Sequence, residues 1–526
     1  MPRTRPRHRV GLALALATLA CGCQANTQVD ADRESYAALD ARRTHVPEVV
    51  GSLDVIRADA AARPARAVKE LKVDLGQALC LATKASRDYL SRREDAYLVA
   101  LRYTGERHVF DTTYAAGGSA DLVQDGTSGT AAATPFGSAT KAFESGGSLV
   151  LKLAGDFLKS FSGDPLETAR HVLSADLLLP LARGSGRDVA REALTQAERD
   201  VLYALREFAR FQQEFAVDVA TDYLRTLQLR DTWDNENQSF ESLQRLLERV
   251  TEFGKAGRVA EFDVDRTRQD LLSAEDRRGR AAQAYESSLD SMKLTLGLPT
   301  ETKLELDRGV LESMAKEGPA AAPYDVATAT ASSRDRRLDL ANARDRHDDA
   351  IRKVWVAQRA LEADVGLRLG GDVTTPERSP YDLRGATATG RAGVDVDLPL
   401  DRIAERNALR TARIVADRTR REAEGLEDEV VRQVRSAGRT LDRAKESYAL
   451  QKEGVRIAGR RRENTYLHLQ RGDATTRDVL DAESSEIQAK NLLTAAVVEY
   501  AIALLEFQRD AGTLRPDELV AGARCP

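Results

Sequence analysis

Two stretches, GRVAEFDVDRTRQDLLSAEDRRGRAAQAYESSLDSMKLTLG (257–297) and GDATTRDVLDAESSEIQAKNLLTAAVVEYAIALLEFQRDAG (472–512), decide the fold, because one is a copy of the other. They align without a gap at an offset of 215 residues (257 to 472, 297 to 512), placing Asp263 on Asp478, Val264 on Val479, Ala274 on Ala489, Ala281 on Ala496, Tyr285 on Tyr500 and Leu289 on Leu504. A second matched pair lies upstream, LLPLARGSGRDVAREA (178–193) and DLPLDRIAERNALRTA (397–412), pairing Pro180 with Pro399, Arg183 with Arg402, Arg187 with Arg406 and Arg191 with Arg410. Its offset is 219 (180 to 399), so the first copy carries four more residues between its motifs. Four is about one helical turn, an insertion that a long helix absorbs without moving its apolar face. The chain is therefore two pseudo-equivalent halves of one architecture.

Charged residues make up 31% of the chain and aromatics 5%, with three Met and two Trp. That is too little bulky apolar material for two thick cores, and it suits long helices packed through Ala, Leu and Val seams. The formal charge is −5, and it becomes more negative once the leader arginines Arg3, Arg5, Arg7 and Arg9 are removed, so no basic footprint points to nucleic acid. There is no GxxxxGK[ST], HExxH, CxxC pair, GxSxG or GxGxxG. The six histidines are scattered, and the run from Glu106 to Asp111 reads as a solvated strand face. The acid-rich run EGLEDE (424–429) reads as a solvated helix face. Neither an enzyme nor a cofactor or metal site is expected.

The leader has a basic start and an apolar run over 10–20, too short to span a bilayer, followed by LACGC. Small residues before a cysteine resemble a bacterial lipoprotein signal, in which the cysteine becomes the acylated N-terminus. Gly22 before Cys23 favours Cys23, with Cys21 as the other candidate, and neither is followed by the Asp that retains such lipoproteins at the inner membrane. The same leader also fits cleavage without lipidation. Cys80 and Cys525 have no metal-like spacing; sequence leaves their pairing open, and Cys525 reads as a free tail thiol.

From 187 to 253 there is neither Gly nor Pro, and apolar residues recur at helical spacing through Leu202, Leu205, Phe208, Phe211 and Phe215, then Leu243, Leu246, Val250 and Phe253. This predicts a helix of roughly 100 Å, reversing at 254–257 into a second one. The other half repeats the scheme from about 404 to 470, turning at 471–473. Residues 299–323 read as a linker with a short extended piece, and 332–361 as a further helix. Before each long helix the period changes from 3.6 to 2. In GVDVDLPL (393–400) every second residue is Val or Leu, and ADLLLPL (175–181) has the same phase, with Asp176 matching Asp395. Partner strands are expected at 363–375 in the second half and at either 102–114 or 148–157 in the first, with 115–147 a long exposed loop. Two such hairpins cannot close a membrane barrel alone, so a spanning role demands that several chains pool strands.

Hairpins leading through a proline-bearing strand into very long helices, with GRVAEFDV and GDATTRDVLDA at the turns and LLPLARGSGRDVA and DLPLDRIAERNA at the strand-to-helix junctions, resemble the TolC-like outer-membrane efflux proteins of lipoprotein type. The resemblance covers most of the chain. It implies a mainly α fold with a β-barrel part: a homotrimer whose chains each give about four strands to a twelve-stranded outer-membrane barrel that continues into a periplasmic helical barrel. It further implies a passive exit duct working with a periplasmic adaptor and an inner-membrane transporter. The expected division is a signal over 1–22, an anchor segment over 23–65, repeats over 66–300 and 328–512 separated by a linker over 301–327, and a tail over 513–526. By the same resemblance Asp263, Asp478 and Asp481 narrow the periplasmic entrance. The turns Gly257-Arg258-Val259 and Gly472-Asp473-Ala474 face the adaptor. Where some members carry a tyrosine and an arginine near the second turn, this chain has Leu469 and Ala474, and Arg258, Arg471 or Arg477 stand as substitutes. Helix capping alone also accounts for Asp263 and Asp478. Strand parity assigns Asp176, Asp395 and Asp397 to the pore and Val394, Val396, Leu398 and Leu400 to lipid. The alternative is a lipid-anchored periplasmic coiled-coil scaffold without a pore.

Overall fold

A computed structural model describes residues 27–55, 70–125, 128–160, 167–318, 325–377, 382, 384–398, 400–471 and 473–520. The signal, both leader cysteines, Gly472 and Cys525 lie outside them. The described residues are mainly helical, with one six-stranded sheet and one two-stranded sheet among them.

The duplication extends to element length. The first copy runs through α2 (Leu75–Ala85), α3 (Arg87–His108), a set of strands, α4 (Arg187–Ala190), α5 (Glu192–Lys255) and α6 (Glu261–Thr295). The second runs through α8 (Val326–Arg336), α9 (Leu338–Arg359), a hairpin, α10 (Ile403–Arg471) and α11 (Thr476–Asp510). The opening helices are 11 residues in both copies, the next 22 in both and the last 35 in both. Each copy opens on an aspartate cap. Asp74 accepts from the Gln77 backbone N–H at 2.7 Å, and Asp325 from those of Ala327 and Thr328, both at 3.1 Å. The stretch 187–255, counting a break at Arg191, matches the 69 residues of α10. The four extra residues therefore sit at the strand-to-helix junction and the turn rather than inside the helix as expected. A four-residue insertion advances a helix by about 40° beyond a full turn, which would rotate the apolar seam; a loop absorbs it without that cost.

The bracketing glycines of the repeat are helix stops. At Gly257, Gly297 and Gly512 φ is positive. The next residue reaches back five positions each time: Arg258 N–H to Phe253 O at 2.9 Å, Leu298 to Lys293 at 2.8 Å and Thr513 to Gln508 at 2.8 Å. Asp473 makes the same bond to His468 at 2.9 Å. At Gly297 a side chain is excluded outright, since a Cβ would lie 2.1 Å from the Ala85 carbonyl oxygen.

The chain divides into two units. One comprises residues up to 45, 96–205 and 345–420. It holds α1 (Thr27–Arg43) and an antiparallel sheet of β2 (Thr112–Asp125), β3 (Ser128–Ala142), β4 (Ser148–Ser160), β5 (Glu167–Pro180), β7 (Asp364–Thr374) and β8 (Thr387–Asp397), in that order. The four expected strands are β4, β5, β7 and β8. The 148–157 segment is thus a strand of the sheet, paired on both sides. Residues 102–108 belong to helix α3, and 115–147, expected as a loop, is largely the extra hairpin β2–β3. Its Ala, Gly, Ser and Thr look like loop composition. Most hydroxyls fall on one face, but Ala and Gly occupy both, so the alternation is too low in contrast to register as a period of two. Between α5 and α9, the buried Asp349 carboxylate of α9 receives Arg199 at 2.9 Å, Arg352 at 2.8 Å and the Tyr203 hydroxyl at 2.7 Å, and Arg352 also holds Glu192 at 2.6 Å. A buried charge is tolerable when so satisfied.

The other unit comprises 46–95, 206–344 and 421 onward. Here β1 (Glu70–Val73) pairs in parallel with β6 (Lys303–Leu306), the extended piece expected within the linker, and β6 is followed by a helix that was not expected, α7 (Gly309–Glu317). The buried Tyr223 hydroxyl of α5 donates to the carbonyls of Val73 and Asp307 at 3.2 and 2.9 Å and pins this pair to the helix. One core gathers Val434, Leu441, Ala444, Tyr500, Ala503 and Phe507. A short helix, α12 (Pro516–Val520), packs on α2. Cys80 is disulfide-bonded; the chain's other cysteines lie outside the described residues.

Candidate functional site: a two-faced wall and a pair of helix turns

Register sorts the six strands into two faces. Through the pairs Asp176↔Gly370, Gly366↔Asp395, Val150↔Asp176 and Thr140↔Val150, one face collects Asp395, Asp397 and Arg391 of β8, Arg368 and Asp372 of β7, Asp176 and Arg170 of β5, Lys152 and Asp156 of β4, and the hydroxyls of β2 and β3. The opposite face carries Val394 and Val396, Leu367 and Leu369, Leu173 and Leu177, Leu151 and Leu153, Ala116 and Ala120 of β2, and Ala131, Ala133 and Ala139 of β3. Away from the strand ends, where Lys141 and Lys159 sit, that face has no Asp, Glu, Lys or Arg among the described residues. One face is fit for hydrocarbon and the other for water. Leu398 and Leu400 lie past the end of β8 and are exposed.

Asp176, Asp395 and Asp397 thus share the polar face, but not one environment. Asp395 is ion-paired with Arg368. Arg391 pairs with Asp372 at 2.7 Å and Arg170 with Asp156 at 3.1 Å. Among the described residues Asp176 and Asp397 have no cationic partner. Asp176 leans over Gly370, where a Cβ would come within 2.6 Å of its oxygen, and Asp397 stands directly opposite Asp364. The arginines escaped the sequence reading; the signal was the same period of two that selected the aspartates.

The helix turns belong to the other unit. Leu243, Leu246 and Val250 of α5, Ala274 of α6 and Val479 and Leu480 of α11 form one core, with Val259, Val264, Tyr466 and Leu469 packed against it. Leu469, which stands where some family members carry a tyrosine, is therefore a packing residue. Tyr466, one turn earlier, receives a hydrogen bond from Arg249, whose guanidinium lies 5.3 Å from the ring centroid.

Asp263 and Asp478 occupy the same position, the third residue of their helices, with unequal partners. Thr475 caps α11, and Asp478 closes the box: its backbone N–H donates to the Thr475 hydroxyl at 3.3 Å, while its carboxylate accepts the Thr475 N–H at 2.9 Å and hydroxyl at 2.7 Å. These bonds hold the Asp478 carboxyl below the usual carboxylate range. In the first copy the cap is Ala260, which has no side-chain acceptor, and among the described residues the Asp263 carboxylate has no partner. Asp481 is 3.9 Å from Arg477 and lines a groove of about 500 Å³ together with Arg266, Asp270 and Glu483. Arg258 and Asp473 are exposed at the turns, and His468 approaches Asp473 at 3.8 Å.

No protein-family model and no curated protein matches the sequence. Solved structures do match. The outer-membrane channel OprN aligns at 15% identity and TM-score 0.60 over 84% of this chain and 90% of its own. CusC, described by its transmembrane channel formation, aligns at 12% and 0.61 over 83% and 91%. The outer membrane protein VceC of Vibrio cholerae aligns at 13% and 0.61 over 83% and 96%. At these identities the likeness is one of fold, and it agrees with the reading of the turn and junction motifs. The chain has the fold of the TolC-like outer-membrane channels.

Proposed function

We propose that this protein is the outer-membrane channel of a tripartite efflux or secretion system: a homotrimer through which small molecules or exported substrates pass passively from periplasm to exterior. A periplasmic adaptor and an inner-membrane transporter supply cargo and energy, and acylation at Cys23 or Cys21 anchors each chain. The observation that carries the reading is the sheet with one charged and one charge-free face and two open edges. A scaffold without a pore has no use for it, and a lone chain cannot satisfy its edges in lipid. The Asp176 and Asp397 rings give the pore a cationic preference, while Asp395 is balanced by Arg368. The turns at 257–259 and 472–474 meet the adaptor. Asp263 is the carboxylate left open for contact with a neighbouring chain, whereas Asp478 serves its own helix.

The test is extraction of the full-length protein from membranes in mild detergent, with mass determination and planar-bilayer recording. A trimer with discrete, cation-preferring conductance is expected. A soluble monomer without conductance refutes the channel. Cysteines at Val259 and Ala474 are expected to crosslink to a periplasmic adaptor and to resist reagents confined to the cell exterior.

A further inference from the structure

We propose that the β2–β3 hairpin is part of the channel wall, so that three copies close an eighteen-stranded barrel rather than the twelve-stranded one implied by family resemblance, with β2 of each chain pairing to β8 of the next. This rests on the trimeric-channel reading.

The hairpin has no counterpart in the second repeat: α9 leads straight into β7–β8, while α3 leads into β2–β3 and only then β4–β5. It is inserted as a pair of strands, which keeps the up–down alternation intact. The six strands therefore begin in one sense at β2 and end in the other at β8, so β8 of one copy meets β2 of the next antiparallel, and a head-to-tail contact of this kind closes into a ring. The hairpin is joined to the wall along its length, from Thr130↔Ser160 to Ala142↔Ser148. The register skips only Thr134 and Pro135, the latter unable to donate to the ladder. Both neighbours are glycine at that level: a Cβ on Gly118 would lie 2.9 Å from Pro135 Cα, and one on Gly155 3.3 Å from its Cγ. The flanking strands are thus shaped around the proline, as expected of a seated strand and not of a flap.

The outward face of the hairpin continues the charge-free band, with Tyr114, Ala116, Ala120 and Leu122 of β2 and Ala133 and Ala139 of β3 in step with Leu151 and Leu153 of β4. Its strands are 14 and 15 residues long, enough to span where about 9–11 suffice. A surface flap would need neither length nor a lipid-compatible face. Every described residue of β8 and nearly all of β2 are exposed in the single chain, and those two edges carry the unpaired backbone groups that hydrocarbon does not tolerate.

Barrel diameter grows roughly linearly with strand number, so the lumen at the wall is about half as wide again and its cross-section about doubled. The added sector is lined by Ser119, Thr134, Ser138 and Thr140 with the Phe136 ring, and β2 brings Asp121 to the same face. The extra width is mainly hydroxyl-lined, and three Asp121 carboxylates add to the cationic preference of the Asp176 and Asp397 rings.

Strand number is read directly by cryo-electron microscopy of the detergent-extracted wild-type trimer. Eighteen strands are expected. In native membranes, a bismaleimide reagent on the double variant Ala116→Cys/Ala392→Cys is expected to give covalent dimers and trimers, with Leu151→Cys/Ala392→Cys giving none. Twelve strands with the hairpin folded away, and crosslinking from Leu151→Cys instead, overturns the proposal while leaving the channel reading intact. Absence of any trimer overturns the channel reading and this proposal with it.

Discussion

Leu153 and Ala154 are neighbours halfway along β4, and the two-faced wall assigns them opposite fates. Leu153 is on the charge-free face and 54% exposed in the single chain; Ala154 is on the charged face, opposite Val172 and Phe136 and two residues from Asp156. Leu153→Arg introduces a guanidinium at mid-depth in lipid, which costs about 2–4 kcal/mol. Losing the exposed half of the leucine's apolar surface adds about 1 kcal/mol. The expected penalty is about 3–5 kcal/mol per chain, roughly a hundred- to several-thousand-fold in the folding equilibrium. Ala154→Arg points into water beside Asp156 and is expected to cost under about 1 kcal/mol. Refolding from urea into phospholipid vesicles, followed by heat-modified electrophoretic mobility, measures both. Equal penalties, or a larger one at Ala154, would refute the assignment of faces and with it the membrane wall.

Asp349→Ala leaves Arg199 and Arg352 without their shared buried carboxylate and is expected to cost about 3 kcal/mol, the low end for a broken buried pair because Arg199 is partly solvated; thermal unfolding of the detergent-solubilised protein checks it. At the turns, Thr475→Ala is expected to remove about 1 kcal/mol from the start of α11, seen as faster amide exchange over its first turn with conductance unchanged. Asp263→Ala is expected to do the reverse, altering single-channel conductance without faster exchange; identical behaviour of the two would sink the distinction. The Asp478 carboxyl is depressed in the folded state, so its contribution is full at neutral pH and above the unfolded carboxylate range, and is lost as pH falls through the folded value. Exchange over the α11 start is therefore expected to be flat from pH 5 upward, after correction for intrinsic rates, and to accelerate only in stronger acid. Metabolic labelling with radiolabelled palmitate is expected for the wild type and absent from the Cys21→Ala/Cys23→Ala variant.

What the sequence disclosed, and what it hid, follows from contrast and from distance. The glycines at 257, 297 and 512 were visible because a left-handed helix stop needs one particular residue, and the copies at a fixed offset made chance coincidence implausible. The β5, β7 and β8 strands were visible because Leu, Val and Asp alternate sharply: Val394-Asp395-Val396-Asp397 admits only one assignment of faces. The hairpin at 112–142 was hidden by the same rule applied to small residues. Ala and Gly against Ser and Thr differ too little in hydropathy to reveal a period of two, and the room that glycines on both neighbouring strands make for Pro135 shows only in the register. Side-chain pairs were hidden by distance. Arg368 and Asp395 are 27 residues apart and Arg249 and Tyr466 are 217 apart, so only the register of the strands and the packing of the helices brings them together. Helix capping accounted equally for Asp263 and Asp478 in the sequence, and it is the structure that separates them. Thr475 and Asp478 close a capping box, whereas Ala260 offers the first copy no side-chain acceptor, so two aspartates that the duplication makes look alike have unlike partners.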